Sequence, residues 1–137
     1  MIQYLPMGGF KLLTKDEISS LDRSEYHENS KEGLILEVEL EYPQELHDLH
    51  NEYPLAPDKL LVTREMLSPY CRELKSKFKL SHNKCHKLIP NLRKKEKYIL
   101  RYRNLQVYTV TGFGLKVKNV HRALRFHQSP WLKQYID

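Results

Sequence analysis

The clearest alternation of apolar and polar residues in the chain runs from Leu36 to Tyr42. Leucine, valine and tyrosine side chains fall on one face of an extended segment, and three carboxylates fall on the other. We call those carboxylates, Glu37, Glu39 and Glu41, the glutamate row. Pro43 cannot donate a hydrogen bond to a sheet, so it ends the segment. The pattern predicts a half-buried strand.

The glutamate row has two interpretations. Two-metal catalysis needs carboxylates that converge on ions about 4 Å apart. Successive carboxylates of the row lie about 6.5–7 Å apart along a strand. This spacing favours a solvated surface, or one that faces basic groups, over a metal site.

Helix signals are strongest near Thr14 and Ser68. Thr14 with Glu17 forms a capping box and predicts a helix over about 15–21. Ser68 before a proline predicts a second helix that ends near Leu80. Its apolar residues repeat at i, i+4 and i+8, which predicts a buried stripe made of Tyr70, Leu74 and Phe78.

The other elements are shorter. We predict extended segments over 59–62 and 97–103, and a helical turn over 44–50. The segment 87–92 is short and apolar and is interrupted by Pro90. The N-terminal segment 4–10 is predicted to be turn-rich, because Gly8-Gly9 breaks regular structure. We also predict a helix from Asn104 to about Thr111 that is ended by Gly112. A hairpin is predicted over 115–126, with its turn at Asn119. A last helix is predicted from Pro130 and should bury Trp131 and Tyr135.

These elements predict an α+β fold, in which a small, mostly antiparallel sheet is flanked by short helices in a single domain of 137 residues. Hydrophobic content of 40% and charged content of 29% are typical of a soluble globular piece. No apolar run approaches the roughly 20 residues of a membrane span, and no signal peptide opens the chain. Two cysteines, Cys71 and Cys85, indicate a reducing, intracellular compartment rather than a disulfide framework.

The charges are distributed unevenly. Residues 1–71 hold 6 Lys+Arg and 14 Asp+Glu, whereas residues 72–137 hold 17 Lys+Arg and 3 Asp+Glu. A basic half favours a surface that contacts phosphates. The alternative is that the two halves attract each other within the fold.

Two groups of residues are potential metal ligands. His47 and His50 share one face of a helical turn, but the sequence nearby offers no third or fourth ligand. The loop 82–86 holds two histidines and Cys85, and the other cysteine, Cys71, falls inside a predicted helix. We interpret the first group as a surface turn and the second as an exposed basic loop.

Several segments together resemble a known family. The stretch around the glutamate row reads Leu-Glu-Val-Glu-Leu-Glu-Tyr-Pro over 36–43, Glu-Leu-His-Asp-Leu-His over 45–50 and Tyr-Pro-Leu-Ala-Pro over 53–57. It resembles the protein-primed, family B DNA polymerases of Polinton/Maverick-type mobile elements and related viruses, which usually have Asp where this chain has Glu39. Matching segments that follow the family's order are Gln3–Pro6, Lys87–Leu92, Tyr102–Leu105, Gln128–Lys133 and Tyr135–Asp137.

The resemblance implies a fragment that lies between the first two polymerase motifs, within the palm and an insertion that contacts DNA and a terminal protein primer. No catalytic or metal-binding residue of the family has a matching position here. Templated nucleotidyl transfer with two Mg²⁺ ions would belong to the parent polymerase, so no cofactor is expected in this piece. The implied partners are DNA, a terminal protein primer and the remaining polymerase domains, without a membrane, and a nuclear location is compatible.

From the basic half of the sequence we predict nine phosphate contacts that position a nucleic-acid backbone without reading its sequence. Tyr108 or Phe113 could stack on a base, although core packing is favoured for either. The nine candidates are Arg93, Lys94, Lys95, Lys97, Arg101, Lys116, Lys118, Arg122 and Arg125.

Three hypotheses remain open from the sequence. The chain is a DNA polymerase fragment that contacts DNA and primer protein, a protein-interaction module whose basic half meets an acidic partner, or a decayed open reading frame without activity. A further hypothesis pairs the glutamate row with Lys97, Arg101 and Arg103 across adjacent strands.

Overall fold

The strand that carries the glutamate row is central to the observed sheet. In the computed structural model, which describes residues 3–81, 84–109 and 113–136, strand β2 runs over Glu32–Glu41. Leu34, Leu36, Val38 and Leu40 are fully buried, so the predicted alternation is confirmed. Burial of each such side chain contributes about 1.5–3 kcal/mol, which explains why this strand forms the centre of the core.

Four antiparallel strands make the main sheet. Strand β1 covers Leu5–Leu12, β5 covers Lys95–Arg101 and β6 covers Lys116–Ser129. Their order across the sheet is β1-β6-β2-β5. The sheet curls and is flanked by short helices, so the predicted α+β class is confirmed.

Two helices accompany this sheet. Helix α1 covers Lys15–Ser19 and begins with the predicted capping box, in which the Glu17 backbone N–H donates to Thr14 Oγ1 at 3.3 Å. Helix α3 covers Tyr102–Thr109 and follows β5 directly. Leu105 of α3, together with Leu13 and Tyr26, packs in the core cluster with the buried face of β2.

A second, two-stranded sheet lies in the middle of the chain. Strand β3 covers Asp58–Leu61 and pairs antiparallel with β4, which covers His86–Ile89. Helix α2 covers Pro69–Lys77 between them. Ser68 caps α2 as predicted, because its Oγ accepts a hydrogen bond from the Cys71 backbone N–H at 3.2 Å.

The predicted hairpin over 115–126 is wrong. Residues Lys116–Ser129 form one continuous strand of 14 residues that pairs with β2 along nearly all of its length. The register shifts between Glu37 and Val38 and again between Glu39 and Leu40, so β6 accommodates an extra residue twice. Such bulges interrupt the alternation of side chains in the same way that a turn would.

Three other boundaries differ from the sequence predictions. Gly8 and Gly9 do not break the N-terminal segment, because they lie within β1 at irregularities of its pairing with β6. Helix α3 begins at Tyr102 rather than after Asn104, and its predicted end at 110–112 lies outside the described residues. The last helix, α4, covers Lys133–Ile136 and begins three residues later than predicted.

Two predicted apolar contacts are also wrong. In α2, Tyr70 and Phe78 are 68% and 62% exposed, so the stripe is not buried within this chain. Trp131 and Tyr135 are likewise exposed. The apolar spacing correctly identifies residues that share a helix face, but no described element covers those faces.

Candidate nucleic-acid interface

The glutamate row faces cations, as the basic-facing interpretation predicts. Arg122 Nε donates to Glu37 Oε2 at 2.9 Å, and the same guanidinium forms a second bond to that oxygen. Lys118 Nζ lies 2.8 Å from Glu41 Oε2, and Lys94 pairs with Glu39. Each carboxylate of the row therefore has a cationic partner from the basic half of the chain.

These contacts shift the pKa of the three carboxyls and of two of the cations. Hydrogen bonding from Arg122, Lys94 and Lys118 lowers the pKa of Glu37, Glu39 and Glu41 respectively. The same contacts raise the pKa of Lys94 and Arg122. Three of the nine predicted phosphate contacts thus pair with the glutamate row. These pairs fit the alternative that the two halves of the chain attract each other.

The hypothesis that pairs the row with Lys97, Arg101 and Arg103 is confirmed only in part. Strands β2 and β5 are neighbours, and after the larger effect of Arg122 the charge of Lys97 also helps to lower the pKa of Glu37. No ion pair joins the two sets among the residues that the structure describes. The register places Glu37 opposite Arg122 of β6 on one side and opposite the apolar Ile99 of β5 on the other. Arg103 instead pairs with Glu28 at 2.8 Å. The charges of the sheet are matched mainly between β2 and β6.

Lys95 is a buried structural residue. Its side chain is completely buried, and its Nζ donates to Asp58 Oδ2 at 2.9 Å, Asn91 O at 2.9 Å and Asn91 Oδ1 at 2.6 Å. Three acceptors satisfy the three N–H groups of the ammonium. A phosphate in solvent cannot reach this group without unfolding the contact.

Three further candidates are partly engaged. Arg101 Nη2 donates to Tyr4 O at 2.5 Å and to Gln128 Oε1 at 2.6 Å, so the guanidinium ties β5 to the far side of the sheet. Burial lowers the pKa of Arg101. Arg125 lies 3.9 Å from Glu32, and Lys116 lies 4.0 Å from Glu45. Both ion pairs are long and at least partly accessible to solvent, so they contribute little and can exchange partners.

Arg93 and Lys97 remain available among the nine. Both side chains are exposed, and neither forms an ion pair with a described residue. Lys97 has a positive φ of 49° at a register shift between β2 and β5. The structure therefore does not gather the nine residues into one free basic surface.

Excess positive charge is concentrated elsewhere, in residues 58–93, which we call the basic unit. It holds nine Lys+Arg and three Asp+Glu, a balance of +6, while the rest of the chain holds 14 of each. The formal net charge of +6 thus belongs entirely to this unit. The charges counted over the two halves of the chain do not show this distribution, but charges counted over shorter segments of the sequence do.

Most cations of the basic unit are exposed. Eight of the nine have exposed side chains, and Lys75 is half-buried. Among the residues that the structure describes, none of those eight forms an ion pair. They are Lys59, Arg64, Arg72, Lys77, Lys79, Lys84, Lys87 and Arg93.

Exposed aromatic and aliphatic side chains accompany these cations. Besides Tyr70 and Phe78, Leu88 is 68% exposed on β4. Exposed rings beside cations are typical of surfaces that bind single strands, because any base can stack on them. Of the two rings considered from the sequence, Tyr108 packs against the core, and Phe113 contacts the ring of His50 with centroids 6.0 Å apart.

The two histidines of the turn after β2 have other contacts, and His82 of the loop 82–86 lies outside the described residues. His50 is buried, and its Nδ1 lies 2.6 Å from the Tyr42 hydroxyl oxygen. His47 Nε2 lies 3.3 Å from the Tyr42 carbonyl oxygen, so both histidines help to hold the turn after β2. Within the described ranges no group of three His, Cys, Asp or Glu residues is placed to hold a metal ion.

Two cavities are open to solvent. The larger, of about 1010 Å³, lies between α3, the start of β6 and residues 21–24, and its walls include the core residues Leu36 and Leu105. The smaller, of about 380 Å³, lies within the basic unit between α2 and the short 3-10 helix Arg64–Met66. Four cations line the smaller cavity, which makes it the more suitable of the two for an anion.

In the described part of the chain, no helix has the length and apolarity needed to span a membrane. Comparison of the chain with protein-family models, curated proteins and solved structures finds no match.

Proposed function

We propose that this chain supplies nucleic-acid backbone contacts within a protein-primed, family B DNA polymerase, and that the basic unit is the contacting surface. One observation carries the proposal: the whole formal net charge of +6 lies in one exposed unit whose cations have few acidic partners. Such a surface attracts phosphates independently of sequence and releases counterions on binding.

This proposal changes the roles of the nine residues predicted from the sequence. Arg93 lies in the basic unit and Lys97 close to it in sequence, and both keep their role as phosphate contacts. Lys94, Lys118 and Arg122 would have to release the glutamate row before they could bind a phosphate. Lys95 and Arg101 serve the fold instead, and Lys116 and Arg125 are secondary contacts.

The polymerase context is supported by the ordered segments that resemble the family. Catalysis is not assigned to this chain, because the family's catalytic aspartates have no matching positions in it. Templated nucleotidyl transfer with Mg²⁺ would be carried out by other parts of the parent polymerase, with this piece positioning the strand.

The test is a salt series of affinities for a fluorescent single-stranded oligonucleotide, measured by anisotropy. We expect log K to fall linearly with log[salt], by about 0.7 for each phosphate contact on a single strand, and to be insensitive to base sequence. Changing Lys59, Lys77, Lys84 and Lys87 to Gln should weaken binding and reduce that slope by about 0.7 for each lysine that pairs with a phosphate.

A matched control removes the same charge elsewhere. Arg23, Lys15, Lys31 and Lys133 are exposed outside the basic unit, and their replacement by Gln should leave the slope unchanged. Equal weakening by both quadruple variants would show that net charge alone drives binding. No binding at low salt would exclude a nucleic-acid role for the chain.

A protein-docking role is the second candidate, because the α2 stripe of Tyr70, Leu74 and Phe78 is left largely uncovered. An acidic primer protein could contact both this stripe and the adjacent cations. Replacing Tyr70 and Phe78 with Ser distinguishes the two functions. It should abolish a protein complex while leaving the salt slope of DNA binding unchanged.

A further inference from the structure

Four cations line the smaller cavity, which is open to solvent. Arg64 comes from the 3-10 helix before α2, Arg72 and Lys75 lie on α2, and Lys79 follows its end. The cavity has a volume of about 380 Å³, and these four side chains are among its lining residues. Among the described residues that line the cavity there is no carboxylate.

Helical spacing explains why these side chains meet. Arg72, Lys75 and Lys79 are separated by three and four residues, which places them along one side of the helix and its end. Ser68 fixes where α2 begins, and Arg72 Nε donates to the Leu67 carbonyl oxygen at 3.0 Å. That bond orients the guanidinium while using only one of its three nitrogens.

Carbonyl groups at the end of α2 accept hydrogen bonds, which weakens their repulsion of an anion in the cavity. The negative end of a helix ordinarily disfavours anions. Here the Leu80 N–H donates to Lys75 O at 2.9 Å and the Lys79 N–H to Ser76 O at 3.2 Å. Lys79 has a positive φ of 52°, which is the conformation that closes a helix in this way.

We propose that this cavity is a binding site for one phosphate group, contributed by the nucleic-acid strand that crosses the basic unit. The inference rests on the proposed function and adds a discrete site to it. Arginine presents a planar fork that matches phosphate oxygens, and lysine adds flexible point charges. A bound phosphate anion also relieves the mutual repulsion of the four cations.

Inorganic phosphate is the first probe, because it needs no DNA. Calorimetric titration of the full chain should give saturable binding, and phosphate should raise Tm more than sodium chloride of the same ionic strength does. We expect Arg72→Gln with Lys79→Gln to weaken phosphate binding at least tenfold. Lys59→Gln with Lys87→Gln, which removes equal charge outside the cavity, should change it less than twofold.

Variants that disturb folding are recognised by circular dichroism, and Arg72→Lys provides a conservative second variant that should retain part of the affinity. The inference is overturned if phosphate stabilises no more than chloride does, or if the Arg72/Lys79 variant keeps the affinity of the unmodified chain. Equal losses of affinity in the Lys59/Lys87 control would also overturn it, because they would show an effect of net charge.

Oligonucleotides then identify the source of the phosphate. If a 5′-phosphorylated strand binds more tightly than its 5′-hydroxyl counterpart, and the Arg72/Lys79 variant loses this difference, the site holds a terminal phosphate. Equal binding of the two strands, weakened by that variant, assigns a backbone phosphate. DNA binding of unchanged affinity in the Arg72/Lys79 variant removes the site but not the proposed function, whereas phosphate binding without DNA binding removes the proposed function and leaves only an anion site.

Discussion

Replacement of Lys95 by Met tests whether a lysine within a basic run is part of the fold. Met has a similar length but removes the charge and the three donors. The change leaves the Asp58 carboxylate and two oxygens of Asn91 without their donor. Removing one partner of a buried ion pair costs about 3–5 kcal/mol. The Asp58 side chain is 23% exposed and keeps a bond from Asn91 Nδ2, so we expect about 3 kcal/mol.

Urea unfolding followed by circular dichroism measures this destabilisation. A decrease of about 3 kcal/mol is a large part of the 5–15 kcal/mol that stabilises a typical domain. Lys97→Met is the matched control, because its side chain is exposed and its replacement should change the free energy of unfolding by less than about 0.5 kcal/mol. For folded Lys95→Met, the slope of log K for DNA binding against log[salt] should equal that of the unmodified chain.

A decrease below about 1 kcal/mol, or one equal to that of Lys97→Met, would refute the reasoning. It would mean that Lys95 is accessible and that its contacts with Asp58 and Asn91 contribute nothing to stability. The double-mutant cycle of Lys95→Met with Asp58→Asn isolates their coupling, which should be the larger part of the effect.

Two further predictions concern the main sheet. The folded state lowers the pKa of each carboxyl of the glutamate row below its usual value of about 4.5. The stability that these carboxylates contribute is therefore present above that pH and is lost as the pH falls through the lowered folded-state values. Urea midpoints between pH 7 and pH 3 should show this decline, and a variant with all three residues changed to Gln should have a flatter pH profile. A Cβ at Gly33 would lie 2.6 Å from the ring of Phe126 and from Gln128 Oε1, so Gly33→Ala should cost about 1–3 kcal/mol in urea unfolding. Adding Phe126→Leu should recover part of that stability, and a cost for Gly33→Ala below about 0.5 kcal/mol would contradict the predicted overlap.

Local signals in the sequence were sufficient where one segment determines its own structure. The alternation around the glutamate row predicted β2, and Ser68 before a proline predicted the start of α2. Both signals depend on neighbours within a few residues. Their physical causes, side-chain alternation and capping of free N–H groups, operate without the rest of the chain.

Bulges account for the predictions of strands that failed. Between Val38 and Leu40 the partner strand advances by three residues, from Tyr98 to Lys95. Simple alternation would place Lys95 on the same side as Lys97. The bulge moves it to the buried side, where it meets Asp58. The sequence does not mark this position, because the extra residue, with its positive φ at Lys97, depends on pairing between distant segments.

The candidate surface was predicted only in its general character. Basic composition correctly indicated excess positive charge, but it did not distinguish cations that neutralise carboxylates from cations that lack partners. Arg122 and Lys87 look alike in the sequence, yet the first faces Glu37 across β6 and β2 and the second is exposed on β4. Partner choice is a property of the tertiary arrangement.

The basic unit is built on a ribbon of only two short strands, joined to the larger sheet through Asp58, Asn91 and Lys95. Two-stranded ribbons are only marginally stable alone. The free energies of local opening that govern amide hydrogen exchange should therefore be smaller in the basic unit than in β2. A strand of nucleic acid that bridges the ribbon and α2 would then restrict this opening, so that binding and local ordering reinforce each other.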